Sequence, residues 1–247
     1  MRPVTKKSVG ESIELEDGTV HMVQEDYNPY GNARPVLLAN LGHYCSYCEE
    51  VFHNGTNLQT EHVQPKGFEK DGVKPYQDLS TKWDNFLLGC ATCNGKGNKG
   101  NKDVRLDEIH LPHRNNTYLS LLYKEAGVVI PNPALPEKSR LHAKALIELL
   151  GLDKKDSDTD GRCGMRRATW DMAVLCLDEY ERGEIKLSRL IDYIKNRGGW
   201  SIWFTVFKDY KEVREALVNE FPGTSRECFD ENFNPVPRHP ENTDDPI

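Results

Sequence analysis

Two cysteine pairs give this 247-residue chain its clearest chemistry: Cys45-Ser46-Tyr47-Cys48 and Cys90-Ala91-Thr92-Cys93, with 41 residues between them. Thiolates separated by two residues in a tight turn can take adjacent corners of a zinc tetrahedron, and a second such turn completes it. A thiol-disulfide exchange site needs only one pair, so the twin favours metal. Four thiolates leave no open coordination position. The zinc predicted at Cys45, Cys48, Cys90 and Cys93 is therefore structural rather than reactive. Cys163, Cys176 and Cys228 stand alone and read as small buried hydrophobes.

A second group of residues lies between the pairs. The stretch "TEHVQPKG" sets Glu61 beside His62, with Pro65 and Lys66 following. His62 has three readings: a buried structural histidine, a zinc ligand, or a base that activates water. Four cysteines already fill the zinc, so His62, like His43 and His53, is dispensable to it. A neutral imidazole is suited to removing a proton from water near pH 7, and a glutamate can ligate a hard divalent cation through oxygen. Adjacent residues on a regular strand point to opposite faces. Glu61 and His62 can thus share a site only where the strand bends or ends, as Pro65 and Gly67 imply. Asn85 precedes the apolar run of "WDNFLLG", and Asn94 directly follows Cys93, where the zinc would position it.

"YCSYCE", "TEHVQPK" and "WDNFLLGCATCNGKGNK" together resemble the HNH endonuclease motif, the ββα-metal finger, in its zinc-stapled form. The resemblance implies that His62 is the general base, that Asn85 braces the loop bearing it, and that Glu61 and Asn94 hold a catalytic divalent cation, Mg2+ or Mn2+. Glu61 stands where the family more often has Asp, and Asn94 where it often has His; both keep a donor atom. The implied reaction is hydrolysis of phosphodiester bonds in DNA, with Lys96 and Lys99, and more weakly Lys66, touching backbone phosphates. A looser resemblance, carried by "MRPV", "LPHRNNT", "GGWSIWFTVF" and "GTSRECFD", is to bacterial HNH proteins that include nuclease subunits of Septu-type anti-phage defence systems. Those act with an ABC-type ATPase, which would make the helical half of this chain a docking surface.

The elements that must position these residues can be read from periodicity. Residues 1–43 read as a hairpin turning at Asp17-Gly18 and a helix stopped by Gly42. Residues 44–105 are rich in Gly, Asn, Lys and Cys, as suits a module held by metal, with strands at "TEHV" and "WDNFLLG" and a long excursion between them. Residues 106–221 form a helical body. Helices are predicted over 139–150, with Leu141, Ala145 and Leu149 inward, and over 166–182, with Trp170, Val174 and Leu177 inward. Further helices follow in "IKLSRLIDYIKN" and "SIWFTVFKDYKEVREALVNEF", the last broken near Asp209, a candidate cap. The segment 222–247 carries five prolines and reads as an extended, surface-lying or disordered tail. The fold class expected is α+β, mainly helical.

Composition narrows the function classes. No apolar run approaches a membrane span, and "MRPVTKKSVGES" lacks a signal-peptide core, so a cytoplasmic protein without membrane association is expected. A formal net charge of -7 argues against a grip on nucleic acid by the whole surface. The stretch Asn94 to Arg105, however, carries Lys96, Lys99, Lys102 and Arg105 against Asp103 alone. On charge alone that stretch is equally a solvated loop. The acidic balance predicts weak nuclease activity without a partner. Two rivals remain: a non-catalytic zinc module binding nucleic acid or protein, and an HNH nuclease acting on RNA.

Overall fold

The computed structural model describes residues 1–53 and 57–247, so three positions of the 44–105 segment lie outside it. The chain is α+β and mainly helical, with three separate two-stranded antiparallel sheets among the described residues. β1 (Ser12–Glu14) and β2 (Val20–Met22) form the expected hairpin, and α1 (Ala33–Leu41) ends at Gly42, whose φ of 75° only glycine adopts easily. β3 (Leu58–His62) pairs with β4 (Phe86–Cys90), and one helical turn, α2 (Ala91–Asn94), follows at once. After a further short turn, α3 (Thr117–Ser120), β5 (Leu121–Tyr123) pairs with β6 (Val129–Pro131).

The helical body comprises α4 (Glu137–Leu150), α5 (Arg162–Glu181), α6 (Leu187–Arg197), α7 (Trp200–Val206) and α8 (Lys211–Asn219). α5 packs on α7, where Trp200, Trp203, Phe204 and Phe207 are buried. No helix among the described residues is long and apolar enough to cross a membrane.

Four expectations are corrected. On α4 the buried face runs through Ser139, Ala143, Leu146, Ile147, Leu149 and Leu150, so Leu149 faces inward as expected and Ala145 is half-buried against the core, while Leu141 is 59% exposed. On α5 it runs through Arg162, Arg166, Thr169, Ala173 and Cys176, with Trp170 and Leu177 half-buried against the core, while Val174 is 46% exposed. Hydropathy misplaces the centre of the α5 face because buried polar groups, Arg162, Arg166 and Thr169, hold it. The Arg166 guanidinium donates to the carbonyls of Gly127 (2.8 Å) and Leu152 (2.8 Å), so its burial leaves no donor stranded on those atoms. The break between α7 and α8 falls where expected, but the residue preceding α8 is Tyr210, and Asp209 caps nothing. The segment 222–247 is extended but anchored, with Cys228, Phe229, Phe233 and Ile247 buried. An antiparallel bridge between Val4 and Thr224 ties its start to the N-terminal residues, and Asn116 Nδ2 donates to the carbonyls of Cys228 (2.9 Å) and Val236 (2.7 Å) further along.

Candidate functional site

The four cysteines meet in one buried cluster. Cys45 and Cys48 lie in the turn after α1, Cys90 ends β4, and Cys93 lies in α2. Their sulfurs all lie within 4.8 Å of one another. Cys48 Sγ and Cys90 Sγ are 3.7 Å apart, against about 2.05 Å for a disulfide and about 3.8 Å for two thiolates bonded to one zinc at ~2.3 Å. The donor set and its spacing fit a structural metal such as zinc. Backbone N–H groups of Cys90 and Cys93 donate to the sulfurs of Cys45 and Cys90 (both 3.4 Å). Contacts with the Cys45, Cys48 and Cys93 thiols, helped by the Cys93 N–H and against burial, hold the Cys90 thiol far below its usual range.

The helical body reaches this cluster directly. Arg162, buried at the start of α5, donates to Cys93 Sγ (3.2 Å) and to the carbonyls of Leu150 and Gly151. Burial disfavours its charge, but Asp160 and the cysteine sulfurs outweigh that and raise its pKa. A four-thiolate zinc carries net negative charge, which a buried guanidinium offsets. Glu49, next to Cys48, accepts from the Ser201 hydroxyl (2.6 Å) and backbone N–H (3.0 Å) of α7.

Beside the cysteines opens a cleft of about 580 Å³ whose lining includes Glu61, His62, Lys66, Asn94, Tyr30 and Arg34. Within its sheet β3 is paired with β4 alone, and the cleft laps its other edge. Glu61 and His62 therefore both reach the same space, the first along the strand and the second at its last position. β4 keeps the wall narrow at Gly89. A Cβ there would stand 3.1 Å from Glu61 Cβ and 3.6 Å from Asn94 Cβ, so glycine lets the two side chains lie side by side.

His62 is held by its Nε2 at 2.9 Å from the carbonyl oxygen of Ser80. A carbonyl only accepts, so Nε2 carries the hydrogen and Nδ1 is the basic nitrogen. Tyr30 and Phe86 pack edge-on against the ring at 4.8 and 5.2 Å between centroids. Burial lowers the His62 pKa below the ordinary 6.5, and the nearby Lys66 and Lys99 charges lower it further, against the Ser80 bond.

Asn85 does not line the cleft. Its Oδ1 accepts from Gln64 N (2.8 Å) and its Nδ2 donates to the carbonyls of Gln64 (3.0 Å) and Leu79 (3.2 Å). One side chain thus closes both ends of the excursion between the strands, next to the Ser80 carbonyl that orients His62. At the far tip of that excursion Lys70 and Val73 bridge each other, and residues 69–75 are all exposed.

The lysines divide. Lys66 overhangs the cleft, its Nζ 3.8 Å from the Tyr30 ring centre. Lys96 is exposed but outside the lining. Lys99, expected at the surface, is wholly buried: its Nζ donates to the His62 carbonyl (2.7 Å) and pairs with Glu61 Oε1 (2.5 Å). A side chain spent on those two partners is not a phosphate contact, and that expectation is corrected. Burial raises the Glu61 pKa, with Lys99 and the Tyr47 hydroxyl acting against it. Asn94 Nδ2 donates to Gln59 Oε1 (2.9 Å), which leaves Oδ1 as the atom that could hold a cation.

Tyr30, Arg34, Ser80 and Arg162 went unnoticed in the sequence. Tyr30 and Arg34 come from an arm read only as a lead-in, and nothing local marks Ser80, whose contribution is a backbone carbonyl.

No protein-family model matches the chain, and no curated protein matches it.

Proposed function

We propose that this chain is a metal-dependent endonuclease of the HNH kind, hydrolysing phosphodiester bonds in DNA. The observation that carries the reading is His62, fixed through Nε2 by Ser80 with Nδ1 as its base, in a cleft it shares with Glu61, Asn94, Lys66 and Arg34. A binding module has no use for an oriented base beside two oxygen donors. The succession of β3, β4 and α2 is consistent with a short ββα-metal finger.

The donors fit a hard cation: Glu61 has Oε2 left beside its Lys99 pair, and Asn94 has Oδ1. Bound there, Mg2+ or Mn2+ would neutralise charge on the phosphate and the departing 3' oxygen. His62 Nδ1 takes a proton from water, and the water oxygen attacks phosphorus as the bond to the 3' oxygen breaks. Lys66 binds an adjacent backbone phosphate, a contact that positions the strand and carries no sequence information. Asn85 keeps the loop, and so the ring, in place. Nuclease action within a Septu-type defence complex with an ABC-type ATPase, and a docking role for the helical half, rest on the sequence resemblance alone.

One observation favours a non-catalytic zinc module instead: part of the Glu61 carboxylate is spent on Lys99. Incubating plasmid DNA with wild type and His62→Ala, each with Mg2+, Mn2+ or chelator, decides between them, and a labelled RNA alongside separates the nucleic acids. Cleavage by wild type that needs metal and falls about 10²- to 10⁴-fold in His62→Ala is expected. Equal cleavage by the variant would sink the mechanism.

A further inference from the structure

Away from the cleft, three residues from distant parts of the chain converge. His110 lies in the loop before α3, His142 in α4 and Asp245 in the anchored segment beyond α8. His110 Nε2 is 2.8 Å from Asp245 Oδ1, and His142 Nδ1 is 2.7 Å from Asp245 Oδ2. All three donor atoms lie within 4.8 Å of one another, with His110 1% exposed. From these donors we infer a second metal centre, for zinc or a similar first-row divalent ion, separate from the four cysteines and independent of the nuclease reading.

The surroundings are those of a ligand set. A metal-bound histidine ordinarily gives its other N–H to an oxygen, and Ser120 Oγ stands 2.8 Å from His110 Nδ1. Ser139 Oγ donates to Asp245 Oδ1 (2.7 Å) and fixes the carboxylate plane. The imidazoles need only move a proton from one ring nitrogen to the other, with Ser120 accepting at His110.

Two ligands bonded tetrahedrally at about 2.0–2.1 Å stand about 3.3 Å apart. Entry of an ion therefore widens the 2.7 and 2.8 Å contacts by roughly half an ångström, within reach of side-chain motion. Two nitrogens and one oxygen leave a fourth position. His142 and Asp245 face a second cleft, of about 520 Å³, which His113, Arg114, Arg238 and His239 also line. His113 Nδ1 is buried there with no hydrogen-bond partner among the described residues. A buried orphan nitrogen in a cation-rich cleft calls for a bound partner, and an anionic oxygen ligand on the metal would supply one.

The test is zinc stoichiometry of the full chain after dialysis against excess zinc and then buffer. Wild type is expected to hold two equivalents, and His142→Ala and Asp245→Asn one. Cobalt substitution identifies which site is lost: the variants should keep the thiolate-to-cobalt charge-transfer band of the cysteine site and lose the visible bands of the nitrogen and oxygen site. A wild type that stops at one equivalent with its cysteine site filled would overturn the inference, as would a His142→Ala protein that keeps two. If a variant does not fold, the wild-type stoichiometry and cobalt spectrum decide alone.

Discussion

A neutral imidazole offers one basic nitrogen at a time, and the Ser80 carbonyl settles which one His62 offers. In the proposed mechanism that ring must be unprotonated to take a proton from water, and burial lowers its pKa from 6.5. The acid limb of kcat/KM should accordingly lie below pH 6.5, with activity lost as pH falls through it. Lys66 contributes to that lowering, so Lys66→Met should move the limb toward neutrality and raise KM together; a limb that stays put would separate Lys66 from the base. Lys99 and Glu61 form a buried pair. Lys99→Met leaves the carboxylate uncompensated and should cost about 3–5 kcal/mol in denaturant unfolding, with Glu61→Gln in the same chain restoring much of it. The cysteine cluster was legible because Cys-x-x-Cys spacing is local, and so was the meeting of the adjacent Glu61 and His62 at one cleft. The burial of Lys99 was not, because a glycine-rich basic stretch reads as solvated until its partner carboxylate is placed in space.

At the scale of elements, the wall between acid and amide depends on β4 having no side chain at Gly89. Gly89→Ala should push Glu61 and Asn94 apart and reduce metal-dependent cleavage at least tenfold while zinc content stays at the wild-type level; loss of zinc with activity would place the damage in the cysteine site instead. Cys90→Ser should lose both the metal and the soluble fold, since binding free energy at such a site is folding free energy. Helix positions were legible from apolar periodicity, down to the stop at Gly42 and the break before α8. Helix rotation was not. Arg162 and Arg166 face inward on α5 because carbonyls and a cysteine sulfur receive their hydrogens, and hydropathy counts such residues as outward. Leu141 is exposed on α4, whose buried face includes Ser139, which is bonded to Asp245.

For the whole molecule, the cysteine cluster and the helices beyond it share their supports. Arg162 touches Cys93, and Glu49 is bonded to Ser201. A fragment of residues 44–105 should therefore fail to hold zinc as the full chain does, which competition with a chelator would read directly. The two-part organisation seen in composition marks where the chemistry lies rather than where the chain could be divided. The excursion between β3 and β4 behaves in the opposite way. Asn85 and Ser80 fasten it at its base, while its tip at residues 69–75 is exposed and bonded within the excursion, through the Lys70–Val73 bridge and the Gln77 N–H on the Lys74 carbonyl. The tip is thus a handle: a protease could open the chain at Lys70, or a tag could be inserted there, and the base that holds His62 would stay assembled as a two-piece site.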